Sequence, residues 1–456
     1  MCDDWVLLII FVFSGALWVT VEGNGRYFYI YEWPASVVDS WPKDYTFSKR
    51  ISVEKEFRAN HGVGEQLDER LGLYHSHQYT LFSTFLSRLR ESKLRTRDPS
   101  KASLFFVPYD IGMDSTTRSS DGALTQTRCP RVSEAYQLLQ NSTYYQRNLG
   151  ADHFMLNTIN QMMLFFLTDE CREFFKLCRN CFKLGIDSYE KSLYKELNTY
   201  QEMYHRWISI PFPSNYHYSP LMKESSPDFK EQRWYHIAYV GSDMVTARKQ
   251  KELRIALRQE CHRRSDPIFL IYEGVQEQSE DKQYLERGRG SQAQSDCFVT
   301  NMDTHDSMSS SMFYEMPTDK QGEKAATRTT HPYTLATFCL MPGGDFPTRK
   351  GVLDALLAGC IPVVFQESTA ISQWLWHWGN VGVARSCLHL VSRDDFVGSP
   401  RQSFDELLSL AANTSFVAAK RRCMHEIGHR MQYNLPGSGA YEMVDAVDVV
   451  LARLLF

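Results

Sequence analysis

The chain has 456 residues, of which 43% are hydrophobic and 23% charged. That is enough apolar material for about two or three domains with cores of their own. A formal net charge of -4 gives no electrostatic ground for a nucleic-acid partner.

Trp5 to Val21 is apolar apart from Ser14 and Thr20, and no charge interrupts it. The run is short for a membrane span and suits a signal peptide or a short anchor over residues 1–25. Cys2, Asp3 and Asp4 precede it in place of basic residues, which leaves its orientation open. Tyr27 to Tyr31 is an expected strand that runs into Glu32-Trp33-Pro34. A helix is expected over His77 to Arg90. Leu94-Arg95-Thr96-Arg97-Asp98-Pro99 then leads to the strand Leu104 to Pro108, with Pro99 stopping any helix. Arg147, Gly150, Asp152, His153 and Phe154 form the next cluster. Ile208 to Pro213 reads as a strand and proline turn that close an N-terminal half, residues 26–230.

A second half, residues 231–430, opens with the strand Trp234 to Gly241, followed by Ser242 and a basic helix over Arg248 to Cys261. Residues 276–330 are polar and lack periodicity, and read as a long excursion. Order returns at Tyr333. Met443 to Leu455 is an expected helix, with Val444, Val447, Val450, Leu451 and Leu454 on one side.

The stretch FCLMPGGDFPTRKGVLDALLAGCIPVVF, Phe338 to Phe365, is the most informative. An apolar strand meets the turn Pro342-Gly343-Gly344. Thr348 is the expected N-cap of a helix whose Val352, Leu353, Leu356 and Leu357 share a face. Gly359 ends that helix, and Cys360 to Phe365 is a second buried strand. This is a βαβ unit of a parallel sheet, whose helix N-terminus lies at the carboxyl end where such folds bind ligands. Arg349 and Lys350 stand in the first turn, where the helix dipole disfavours cations. Two readings remain: side chains in solvent, or a cradle of cations and N–H groups for a diphosphate.

The chain has eleven cysteines. Cys171, Cys178 and Cys181 cluster without a fourth ligand, which favours disulfides in an oxidising lumen over zinc. Cys339 and Cys360 read as small buried residues. Asn141-Ser142-Thr143 and Asn413-Thr414-Ser415 are sequons usable in a lumenal protein.

Phe338, Cys339, Leu340, Pro342, Gly344, Asp345, Thr348, Arg349, Asp354, Ala355, Gly359, Cys360, Ile361, Pro362 and Val363 resemble the signature of the exostosin family of glycosyltransferases. The G-D-x-x-T-R form resembles most the plant xyloglucan galactosyltransferase branch. The segments at residues 27–34, 94–108 and 147–154 resemble further steps of that family. Asn157 and Asn160, and Gly343 where some members carry Arg or Lys, depart from it. The resemblance implies an α/β fold of the GT-B type, with two facing Rossmann-like domains and a central cleft. It also implies that the last helix, within residues 431–456, returns to the first domain. The implied reaction transfers a sugar, galactose favoured, from a UDP-sugar to a glycan or glycoprotein in the Golgi or another secretory lumen, with inversion. No cofactor and no metal is implied, and no Asp-x-Asp motif stands in the donor region. The N-terminal segment would hold the chain to a membrane if uncleaved. The alternatives are an inactive relative that binds glycans or stabilises a transferase partner, and a nucleotide-sugar hydrolase on the same fold.

A nucleotide-sugar transferase must stabilise a departing diphosphate and deprotonate an acceptor hydroxyl. For the first task the candidates are Arg349 with Gly344, Asp345 and Thr348, assisted by Gly241, Ser242 and Arg254. Arg254 also reads as a solvated helix face, and Asp354 as an i,i+4 partner of Lys350. Glu367 is placed to bind ribose hydroxyls, or is an ordinary loop residue. For the base, the candidates are Asp152, His153 and Asp110, each with a structural reading beside it.

Overall fold

The computed structural model describes residues 26–38, 59–68, 72–77, 80–115, 129–161, 164, 167–188, 205–217, 233, 235–241, 245, 247–264, 295–301, 332–344, 346–435 and 444–456. The apolar segment Trp5 to Val21, Ser242 and Asp345 lie outside them. The chain divides into two compact units. One comprises Met1–Lys223, Gln373–Gly379 and His429–Phe456; the other comprises Glu224–Ser372 and Asn380–Gly428. Both are α/β units built on a parallel sheet.

In the first unit, the described strands are β1 (Tyr27–Ile30), β2 (Gln66–Asp68), β3 (Leu73–Tyr74), β4 (Arg95–Thr96), β5 (Ala102–Val107), β6 (His153–Asn157), β7 (Phe182–Gly185) and β8 (Trp207–Ser209). β2 and β3 form a small antiparallel pair. The other six are parallel, in the order β4-β1-β5-β6-β7-β8. β6 is buried along its whole length, as a strand covered on both faces should be.

Helix α1 (Leu81–Glu91) starts four residues later than expected, because a turn from His77 to Thr80 precedes it. Its Phe82 and Phe85 pack on Phe106 of β5. The last helix also belongs to this unit. Asp445 caps it by accepting from the backbone N–H groups of Val447 and Asp448, and the Asp448 carboxylate answers to the Asp445 N–H. Arg88 of α1 donates to Asp445 at 2.7 Å.

In the second unit, the strands are β9 (Tyr235–Gly241), β10 (Ser295–Asn301), β11 (Ala336–Met341), β12 (Ile361–Val364) and β13 (His389–Leu390), all parallel, in the order β10-β9-β11-β12-β13. β10 corrects the expectation of a structureless excursion over 276–330. A short strand carrying one buried cysteine inside a polar stretch gives no periodic signal, yet it pairs with β9 from Ser295 to Asn301. Helix α2 (Arg248–Arg264) follows β9, and helix α3 (Lys350–Leu357) joins β11 to β12. α3 stops where Gly359 takes a φ of 77° that a side chain would resist. The C-terminal helix is α4 (Ala446–Leu455).

Disulfides join Cys129 to Cys171, Cys261 to Cys297, Cys339 to Cys360 and Cys387 to Cys423, while Cys178 and Cys181 are buried thiols. The Cys339–Cys360 bridge corrects the reading of two inert residues: it ties neighbouring strands β11 and β12 across a Cα separation of 5.8 Å. Among the described residues, no helix is long and apolar enough to cross a membrane.

Candidate functional site

A parallel sheet places the turns after its strands along one edge, and in the second unit that edge carries the glycine turn. Neither Gly343 nor Gly344 has a positive φ; both are needed for close approach. A Cβ on Gly343 would lie 2.9–3.0 Å from the carboxamide of Gln250. One on Gly344 would lie 3.3 Å from the guanidinium of Arg254. Gln250 and Arg254 are one helical turn apart on α2, so the glycine pair is shaped to receive that helix face. Arg254 is buried and its Nε donates to the Gly343 carbonyl at 2.9 Å. The solvated-face reading of Arg254 is therefore corrected: a long cation can be held inside because a backbone carbonyl and the missing glycine side chains make room for it.

α3 begins at Lys350, with Arg349 extended at its N-cap and no side-chain cap. Thr348 is not the cap that the sequence suggested. The extended Arg349 residue carries the Thr348 hydroxyl past the first turn, and its Oγ1 is buried without a partner.

The two adjacent cations have different fates. Lys350 Nζ lies 2.8 Å from Asp354, as i,i+4 spacing allows, and burial lowers its pKa against the pull of that carboxylate. Arg349 is half-buried, donates to the Pro342 carbonyl at 3.1 Å and has no carboxylate partner among the described residues. Gly241 closes β9. Glu367 stands just past the end of β12, exposed, where its carboxylate accepts from Arg385. Gln366, beside it, accepts from Gln250 Nε2 at 3.3 Å. Sequence reasoning missed Gln250 and Gln366, since an amide on a basic helix or in a loop reads as surface.

In the first unit, the three candidate bases fall at opposite ends of the sheet. Asp152 and His153 sit where β6 begins, at the amino edge. His153 is fully buried; its Nδ1 meets Asp152 Oδ1 at 2.7 Å and its Nε2 meets the Tyr31 hydroxyl at 2.8 Å. Burial tends to raise the Asp152 carboxyl. Hydrogen bonds from His153, Asn148 and Arg147 outweigh it and bring the pKa down to about 2. Both residues are thus held in a structural chain, away from the carboxyl edge. Asp110 alone of the three stands at that edge, after β5. It is buried, and it accepts from the N–H of Gly112 at 3.0 Å, the N–H of Thr158 at 3.2 Å and the Thr158 hydroxyl at 2.5 Å. Asp187, after β7, likewise accepts from the Gln161 N–H at 2.9 Å. Among the described residues, no group of three or more His, Cys, Asp or Glu side chains could hold a metal ion.

Comparison with known proteins finds distant relatives. A probable xyloglucan galactosyltransferase of Arabidopsis thaliana is 23% identical over 419 residues, covering 88% of this chain and 82% of that relative. A xyloglucan-specific galacturonosyltransferase of the same plant is 23% identical, over 70% of this chain and 40% of its own length. Among solved structures, sucrose-phosphate synthase from Thermosynechococcus elongatus matches with a TM-score of 0.35 and 10% identity, covering 86% of this chain and 81% of that one. The Exostosin GT47 domain model matches residues 22–373. The chain belongs to the exostosin GT47 family and is a glycosyltransferase.

Proposed function

We propose that the protein transfers a sugar, galactose favoured, from a UDP-sugar to a glycan or glycoprotein acceptor, with inversion at the anomeric carbon. The observation that carries this reading is Arg349: a cation fixed beside a glycine turn at a helix N-terminus, with no carboxylate partner among the described residues. As the sugar leaves, negative charge builds on the UDP diphosphate. A guanidinium already in place at a helix N-terminus stabilises that charge without reorganising. Glu367, at the end of β12, is suited to accept from ribose hydroxyls. Galactose is favoured because the relatives are named as xyloglucan galactosyltransferases. For the acceptor proton, Asp110 is the proposed base, since it stands at the carboxyl edge and Asp152 and His153 do not. Two units, each with a parallel sheet, suit a GT-B arrangement with donor and acceptor on different units.

The secretory lumen is the proposed compartment. Disulfides at Cys129–Cys171, Cys261–Cys297, Cys339–Cys360 and Cys387–Cys423 suit an oxidising environment. Asn141 and Asn413 are both exposed at helix ends, where attached glycans are tolerated. Peptide N-glycosidase should increase the mobility of the protein made in a eukaryotic secretory cell, and Asn141→Gln with Asn413→Gln should abolish the shift. The activity itself is tested by UDP release from a panel of UDP-sugars with mixed glycan acceptors. Acceptor-dependent release from one donor supports the reading; binding without release would point to a non-catalytic relative.

A further inference from the structure

The donor edge contains an element that diphosphate binding does not use. Gln250 lies in the first turn of α2, and its carboxamide fills the space that a Gly343 side chain would take. Its Nε2 donates to Gln366 Oε1 at 3.3 Å, which links α2 to the turn after β12. Its Oε1 is buried and has no partner. Exchanging the nitrogen and oxygen of the amide does not remove the deficit; one polar atom of that carboxamide stays without a partner in either assignment. A buried amide atom of this kind is costly to leave unpaired, whereas a ligand group that reaches it gains affinity and discrimination. Around it stand the glycine turn, Arg254 below the turn, and Gln366 next to Glu367.

We infer that Gln250 is a donor-reading residue, whose carboxamide oxygen accepts a hydrogen bond from a hydroxyl or N–H of the sugar nucleotide. This rests on the UDP-sugar reading of the same edge and adds the residue that selects within it. Gln366 fixes the rotation of the carboxamide, so the acceptor is held before the ligand arrives. The contact is neutral, and it supplies orientation without adding charge beside the diphosphate. It is a binding contact equal in ground and transition states, so its loss falls on KM and not on kcat.

The test is steady-state kinetics and UDP calorimetry on the full chain, comparing wild type with Gln250→Met, Gln250→Glu and Gln366→Leu. Gln250→Met keeps the length and loses the hydrogen bond. It should raise the donor KM about tenfold with kcat nearly unchanged. Gln250→Glu adds an anion near the diphosphate and should raise KM at least as much. Gln366→Leu frees the Gln250 rotor and should raise KM about threefold. Melting temperatures near wild type would accompany these shifts. A donor KM unchanged in both Gln250 variants overturns the inference, as does a lowered melting temperature with KM unchanged, which would make Gln250 a packing residue only. If wild type turns over no UDP-sugar, the transferase reading fails by itself. Calorimetry with UDP and the UDP-sugar panel then decides for Gln250: weaker binding of either in Gln250→Met supports it, and equal binding of all of them sinks it.

Discussion

The two parallel sheets end in edges of opposite character. At the carboxyl edge of the first unit, the carboxylates are engaged: Asp110 holds three donors from Gly112 and Thr158, and Asp187 holds the Gln161 N–H, although the Asn157 side-chain oxygen at the end of β6 is buried without a partner. The turns there are stitched to each other. At the carboxyl edge of the second unit, polar groups are left over. Among the described residues, Arg349 has no acid, the N-cap residue of α3 makes no side-chain cap bond, and Thr348 and Gln250 each have a buried oxygen without a partner. The same topology gives both edges their place, but the side chains decide what each can bind. Saturated groups rigidify; unsatisfied groups in a fixed frame await something from outside.

The comparison breaks most directly at Arg349. Arg349→Ala should lower UDP-sugar turnover by about a hundredfold or more, the usual effect of removing a preorganised donor to a developing anion. The melting temperature should stay near wild type, because the side chain gives up only one bond to a backbone carbonyl. Turnover within threefold of wild type would remove Arg349 from the site. The frame behind that edge should be nearly as sensitive. The bridge between Cys339 and Cys360 closes a loop with a sequence separation of 21. Cys339→Ala should cost about 3 kcal/mol by denaturant unfolding, and added reductant, which opens this bridge and the three others, should cost wild type at least as much. A midpoint that moves in neither case would mean that the glycine turn is held by packing alone.

On the other edge, Asp110→Asn sharpens the contrast. The amide cannot satisfy the three donors that converge on the carboxylate, and the loss should be about 2 kcal/mol. Asp110 as base also predicts a fall in kcat at a temperature where the variant is folded, with the acidic limb of the kcat–pH profile flattened. Lost stability with unchanged kcat would leave Asp110 as a clamp and send the search for the base to other residues.

Much of this was legible in the sequence, and the failures have physical causes. The run from β11 through α3 to β12 was readable because its apolar spacing switches cleanly from strand to helix and back. Its cap was not, because Thr before a helical pattern signals an N-cap whether or not one extended residue intervenes, as Arg349 does. Asp152 and His153 were found as a pair, but sequence does not say which end of a strand a residue occupies; here β6 opens at His153, and the pair falls on the amino edge. β10 was hidden inside polar sequence, since an edge strand held by one neighbour and a disulfide needs little hydrophobic pattern. Gln250 was invisible for a different reason. Its role depends on the absence of a side chain at Gly343, a distance of 93 residues along the chain that no local pattern reports.

The smallest effect lies in the first unit, in how it answers to acid. His377 is fully buried; its Nε2 donates to the Ala446 carbonyl at 3.2 Å and its Nδ1 is buried without a partner. Burial chiefly, helped by the nearby charges of Arg430 and Arg453, brings its pKa from 6.5 down to about 3. The unfolded chain therefore takes up a proton near 6.5 that the folded chain refuses until about 3, and stability from this group falls as pH drops through that window. Between pH 7 and pH 5 the loss amounts to about 2 kcal/mol. Asp448 works the other way. Burial and the neighbouring Asp445 push its carboxyl up to about 7, so the folded chain holds that proton more tightly and the contribution fades as pH rises toward 7. The wild-type slope is the difference of the two, and a flat wild-type profile would not by itself count against His377. Single variants separate them. His377→Gln keeps a donor for Ala446 and cannot charge, so its unfolding free energy should fall less than wild type between pH 7 and pH 5. Asp448→Asn should fall more. Identical profiles in wild type and His377→Gln would mean that water or a rearrangement satisfies the imidazolium in the folded unit, and that the first unit is less rigid around His377 than its burial implies.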